Sequence, residues 1–198
     1  MNYNEVKKEI KNTIDGPIQL ESVYQVSTNY YKLASEKEKD IYFKAVQEIA
    51  LKKGKLKYRE ACLTAINMMH KTEESKDVIK NCIERFNYRT ELFLASQLMT
   101  SCAIISTDWS IEFIKKIIID FKYVNNLYNL YYFSIRSMSS SSRWIEIIDE
   151  INIALSMYDD SKFIEYLNFF KCKRGNNDFE RLILNLSNDN LNRFSILF

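Results

Sequence analysis

The chain has 198 residues, 46% hydrophobic and 14% aromatic, with a net charge of +2, three glycines, one proline and one histidine. This is enough apolar surface for a core, but too little glycine and histidine for phosphate-cradling loops or proton shuttles. The charge lacks the strong basic excess of a protein that coats nucleic acid.

No apolar run reaches the roughly 18 residues of a membrane span, and the start MNYNEVKKEIKNTI lacks the apolar stretch of a secretory signal. The expectation is one soluble, cytoplasmic domain over residues 1–198.

Apolar spacing near 3.6 residues, together with cap residues, predicts helices at about 3–14, 19–33, 36–53, 57–70, 74–86, 90–105, 109–120, 124–138, 142–157, 161–172, 177–186 and 189–196. Asp15-Gly16-Pro17 breaks the chain after the first of these. Lys52 and Lys53 followed by Gly54 make a cationic last turn with a glycine stop. Thr72, Thr107 or Asp108, Ser141, Asp160 and Asn176 are the expected N-caps. Ile117-Ile118-Ile119 has strand-like composition, yet Ile114 and Phe121 stand at helical offsets from it. No segment alternates convincingly with period two, so the fold class is all-α.

A longer period overlies the helices. Ser75-Lys76-Asp77-Val78-Ile79-Lys80 recurs as Ser110-Ile111-Glu112-Phe113-Ile114-Lys115, a shift of 35 residues. The same shift carries Cys82 and Ile83 onto Ile117 and Ile118, Phe86 and Tyr88 onto Phe121 and Tyr123, and Leu92 and Phe93 onto Leu127 and Tyr128. A shift of 34 carries Ile111-Glu112-Phe113-Ile114 onto Ile145-Glu146-Ile147-Ile148.

Across residues 73–158 this period resembles the HEAT, armadillo and tetratricopeptide-type solenoids. The tetratricopeptide Trp-Leu-Gly-Tyr and terminal proline are missing, as is the proline of many HEAT first helices, so the resemblance is to a divergent HEAT-like repeat. It implies stacked antiparallel helical hairpins, about 10–12 helices in all, and a protein that works by interaction. An irregular helical bundle is the alternative.

Candidate chemistry is sparse. Cys62, Cys82, Cys102 and Cys172 form no CxxC pair, sit in apolar stretches and read as free thiols that pack like small hydrophobes. His70 ends a helix, where it complements the dipole; as a general base it would need Cys62, Glu73 or Asp77 close in space. Asp149-Glu150 and Asp159-Asp160 are neighbours in sequence, which point about 100° apart on a helix. No nucleotide loop, HExxH or helical Glu-x-x-His is present. Neither an enzyme nor a bound metal or cofactor is expected.

Charge is patterned. Lys52-Lys53-Gly54-Lys55-Leu56-Lys57-Tyr58-Arg59 places five cations around a helix–helix turn, either as a contact for phosphate or an acidic partner or as a solvated turn. Over residues 142–170, Glu146, Asp149, Glu150, Asp159, Asp160 and Glu165 face only Arg143 and Lys162, a local net of −4. Beside this stretch lies Asn125-Asn126-Leu127-Tyr128-Asn129-Leu130-Tyr131-Tyr132-Phe133, apolar on two sides. Such a helix is either sandwiched or presents aromatics outward, and tyrosine and tryptophan dominate binding hot spots.

The expected partner surface is therefore Tyr128, Tyr131, Tyr132, Trp144, Glu146, Asp149, Glu150, Asp159 and Asp160, facing a basic protein. In its most concrete form this is an immunity protein that neutralises a cognate toxin, with the acidic aromatic face mimicking phosphate if the toxin is a nuclease. Nuclease inhibitors are generally more acidic than +2, which bears on the toxin class and not on binding itself. The alternative function is nucleic-acid binding through residues 52–59 and through Lys171, Lys173 and Arg174.

Overall fold

A computed structural model describes residues 2–16, 19–69, 72–85, 87, 92–121 and 128–198, with the backbone alone described at 19–23, 72, 93, 128 and 129. Among the described residues the secondary structure is entirely helical: α1 (Tyr3–Ile14), α2 (Gln19–Tyr31), α3 (Glu36–Leu51), α4 (Leu56–Met68), α5 (Thr72–Arg85), α6 (Leu92–Ile105), α7 (Asp108–Phe121), α8 (Tyr128–Met138), a 3-10 turn (Trp144–Ile147), α9 (Ile148–Ser156), α10 (Asp160–Leu184) and α11 (Asn188–Leu197). The all-α class is thus shown. Among the described residues no helix is long and apolar enough to cross a membrane. The chain groups into two compact units, Met1–Ser101 and Cys102–Phe198.

In the first unit local signals set the helix ends and apolar spacing sets the faces. Asn2 caps α1 by accepting from the Asn4 amide, and α1 buries Val6, Ile10 and Ile14, one residue per turn. α3 opens with a full capping box, Ser35 and Glu38 each accepting from the other's backbone. It buries Tyr42, Phe43, Val46, Ile49 and Ala50. The buried Tyr42 hydroxyl donates to the Val26 carbonyl at 3.1 Å, which meets the polar need of a core phenol.

The first helices pack on the neighbour and on the next but one: α1 on α2 and α3, α2 on α3 and α4, α3 on α4 and α5. Thr64 donates to Gln97 at 3.0 Å and Asn67 to Ser101 at 2.7 Å, joining α4 to α6.

The second unit repeats the order, with α7 on α8 and α9, α8 on α10, and α9 on α11. Its core gathers Trp144, Phe163, Tyr166 and Phe170, all essentially inaccessible. Asn152 of α9 ties down the α10–α11 corner. Its amide donates to the Asn185 carbonyl at 2.8 Å, and its carbonyl accepts from the Ser187 amide at 2.8 Å. The buried Asn190 side chain donates to the Asn152 backbone carbonyl at 2.9 Å.

Two expectations are corrected and a third is met. The helix foreseen over 142–157 starts only at Ile148, after a 3-10 turn. The serine run explains this: Ser140 and Ser141 donate backward to Ser137 and Met138 in a tight turn, and the Ser141 hydroxyl accepts from the Arg143 amide. The cap of α10 is Asp159, accepting from the Lys162 amide, and not Asp160. The expected segments 161–172 and 177–186 stand as two helical stretches of α10, parted at Gly175, whose φ of 80° and ψ of 178° is a backbone state open essentially to glycine alone.

The 35-residue shift survives as burial. Ser75, Val78, Ile79 and Cys82 are buried, and so are Ser110, Phe113, Ile114 and Ile117. The 34-residue step carries α7 onto the 3-10 turn and the first residue of α9, so there it does not match helix to helix.

Candidate functional site

The partner residues expected from the sequence all belong to the second unit, and they fall into three groups. Tyr131 and Trp144 are core. Tyr131 is 3% exposed with its hydroxyl donating to the Ile118 carbonyl at 2.9 Å. Trp144 is 1% exposed and meets Phe170 edge-on at 4.9 Å. Neither belongs to a partner surface: α8 turns Tyr131 toward α7, and the 3-10 turn aims Trp144 at α10. The side chain of Tyr128, together with residues 122–127, lies outside the described residues, as does His70.

The second group is accessible but already engaged. Glu146 forms a two-pronged ion pair with Arg143, at 2.6 Å from Nε and 2.7 Å from Nη2, and that guanidinium holds its carboxyl below the usual range. The same Arg143 reaches Asp108 at the start of α7. Asp160 pairs with Arg193 at 2.6 Å, and Arg193 also donates to the Leu155 carbonyl at 3.2 Å. Asp159 is consumed as a helix cap.

Tyr132 is half-buried, and its hydroxyl donates to Glu165. Burial first, then that carboxylate, raises its pKa. Cations surround its ring, with the Arg136 guanidinium at 5.2 Å and the Lys162 ammonium at 5.7 Å, and Arg136 also lies 4.6 Å from the Phe169 ring. Tyr132 of the Tyr stripe therefore belongs to a cation–aromatic lattice between α8 and α10. Exposed Phe133 stands edge-on to Tyr132 at 6.1 Å.

The third group is Asp149 and Glu150 in the first turn of α9. Asp149 is exposed and Glu150 half-buried, and neither enters an ion pair among the described residues. They complement the positive end of the α9 dipole. The carboxylates belong to α9, which packs on α7, α8 and α11, and the aromatic cluster to α8 and α10.

The basic runs divide similarly. Lys171 and Lys173 are exposed and lie 5.1 Å and 5.7 Å from the Phe179 and Phe169 rings, while Arg174 pairs with Asp178 at 2.9 Å. In the first unit, Lys57 and the Tyr58 hydroxyl both engage Asp15. Lys52, Lys53, Lys55, Tyr58 and Arg59 line a cleft that also takes Lys7 and Lys11 from α1. Those two lysines were missed in the sequence; the only signal was their spacing of one helical turn, which places them on one side of α1.

Of the four thiols, Cys62, Cys82 and Cys102 are buried and Cys172 is exposed. Burial pushes the Cys82 thiol up to about 12 and raises Cys62 and Cys102 further. Comparison with family models, curated proteins and solved structures returns no match.

Proposed function

We propose that this chain is a non-catalytic, protein-binding helical-repeat protein with a basic partner. An immunity protein for a cognate toxin is the most concrete form of that reading. The observation that carries it is the pair Asp149 and Glu150, accessible carboxylates without an ion pair among the described residues, whereas arginines neutralise Glu146 and Asp160 at home. Charges of this kind steer an oppositely charged partner and set its association rate. Phe133, exposed beside the α8–α10 lattice, supplies apolar area from a neighbouring helix row.

The repeat part of the reading is supported by the packing order within each unit, where helices touch the next but one. Side-chain bonds of matching sequence separation also support it. Thr64–Gln97, Asn67–Ser101, Ser106–Ser141, Arg143–Asp108, Tyr132–Glu165 and Arg193–Asp160 all span 33 to 35 residues. Stacked hairpins of about that length produce such bonds.

The test is recovery of the tagged chain from the cells that encode it, with nuclease treatment and mass spectrometry of what remains bound. A stoichiometric basic protein resistant to nuclease supports the reading. Nucleic acid that disappears on treatment favours the nucleic-acid alternative, and a lone chain counts against both.

A further inference from the structure

One cleft of the first unit gathers cations well in excess of acids. It measures about 310 Å3, at the lower end of the roughly 300–1,000 Å3 of small-molecule sites, and its walls come from α1, the end of α3, the connecting turn and the start of α4. Six cations line it (Lys7, Lys11, Lys52, Lys53, Lys55 and Arg59), against the single carboxylate of Glu48. That carboxylate is already committed, accepting from the Tyr3 hydroxyl at 2.7 Å and from Lys7 at 3.1 Å. Asp15, the other acid nearby, is held by Lys57 and Tyr58. Among the described residues Lys11, Lys52, Lys53 and Lys55 form no ion pair.

Ordinary folding needs explain part of this and not the rest. Lys52 and Lys53 follow α3 and suit the negative end of its dipole. α4 does the reverse. Its cap position is Lys55, which makes no side-chain cap, its first turn carries no acid, and Lys57 and Arg59 sit at its positive end. α1, α3 and α5 each place an acid there. Arg59 is also 4% exposed, a guanidinium charge drawn into the wall of the cleft. Lys11, Lys55 and Lys57 gather within 6 Å of the Tyr58 ring, at 5.9, 5.7 and 5.2 Å. Like charges concentrated on the wrong end of a helix destabilise the chain unless a counter-charge arrives, and departures of this kind mark binding sites.

We infer that this cleft binds a compact polyanion carrying two or more phosphate groups. Lysines recognise such a ligand as point charges, without the planar fork that would select one orientation. A nucleic-acid backbone fits less well. Residues 1–101 hold 17 Lys and Arg against 14 Asp and Glu, short of the strong basic excess that a strand-binding surface carries. The inference concerns the first unit and stands apart from the reading of Asp149 and Glu150.

The test is titration calorimetry and thermal melting of the full chain with sodium tripolyphosphate, with orthophosphate and a single-stranded DNA oligonucleotide in parallel. The proteins compared are the wild type, Lys11→Gln/Lys55→Gln, and the exposed control pair Lys37→Gln/Lys80→Gln. The expected result is saturable one-to-one binding of tripolyphosphate that raises the melting temperature. The cleft pair should bind at least about tenfold more weakly, and the control pair unchanged. Without ligand the cleft pair should melt no lower than wild type, since removing the repulsion costs nothing in the empty cleft. Should that pair lose helicity, Lys53→Gln in the exposed turn carries the same expectation at about threefold. Absence of saturable tripolyphosphate binding, or equal binding by both pairs, overturns the inference. Tighter binding of the oligonucleotide per phosphate, with a steep salt dependence, overturns it in favour of nucleic acid.

Discussion

Replacing Trp144 with alanine separates a core tryptophan from an interface one. The side chain is 1% exposed, its ring meets Phe170 at 4.9 Å with an interplanar angle of 75°, and the Arg181 guanidinium lies 5.7 Å from it. A buried indole removes roughly 200 Å2 from water, about 5 kcal/mol at ~25 cal/mol per Å2. Alanine keeps a small part of that, while the cavity and the lost edge-on contact add to the loss. The expected cost is therefore about 3–5 kcal/mol. At a urea slope of about 2 kcal/mol/M this lowers the midpoint by about 1.5–2.5 M.

Urea unfolding followed by circular dichroism reads the shift, and Trp144→Phe should lose less than half as much because it keeps the ring contact with Phe170. A loss under about 1 kcal/mol for the alanine variant, or weakened partner binding with stability unchanged, would refute the placement of Trp144 in the core.

Gly175→Ala should destabilise by about 1–3 kcal/mol through backbone strain alone, because an added Cβ meets no atom within 4 Å; an unchanged urea midpoint would mean that the break in α10 does not depend on the glycine. In the native chain an aromatic disulfide reagent should label one thiol quickly, Cys172, with Cys62, Cys82 and Cys102 reacting only in denaturant. Rapid labelling of two or more native thiols would contradict that. The Tyr3 hydroxyl and Lys7 hold the Glu48 carboxyl below the usual range. Its contribution is therefore full above the unfolded value of about 4.3 and is lost as pH falls through the lower folded value. The stability gap between wild type and Glu48→Gln should accordingly shrink on acidification, and a gap that widens toward low pH would reverse the assignment.

The helices were legible because apolar spacing and punctuation agree along the chain. α1 ends at Ile14 before Asp15-Gly16, and the expected 36–53, 57–70 and 109–120 coincide with α3, α4 and α7 to within about two residues at most ends. The errors are local competitions that periodicity does not register. Serine side chains and backward backbone bonds turned Ser137–Arg143 into a tight turn, and Asp159 outcompeted Asp160 for the cap by reaching the Lys162 amide.

The site was much less legible. Tyr131 and Tyr132 are neighbours of one residue type, and a hundred-degree rotation sends one to the core and the other to the rim. A net charge counted along a segment also misses partners supplied from elsewhere. Arg193 comes from α11 to neutralise Asp160, 33 residues away, and the Tyr132 hydroxyl engages Glu165 across the same separation. Such contacts form only once the helices have packed, and together with the local Arg143–Glu146 pair and the Asp159 cap they leave Asp149 and Glu150 as the uncommitted acids of that stretch.

The most direct measurement is parallel recovery of the binding partner by wild type and by Asp149→Lys/Glu150→Lys, at low and at physiological salt, with both proteins first matched by thermal melting. If the carboxylates of α9 meet a basic protein, the wild type retains that protein after nuclease treatment. The reversed variant, equally folded, should lose it or bind it at least about tenfold more slowly, with the difference narrowing as salt rises. Equal recovery by the two proteins at both salt concentrations would contradict the assignment of this surface.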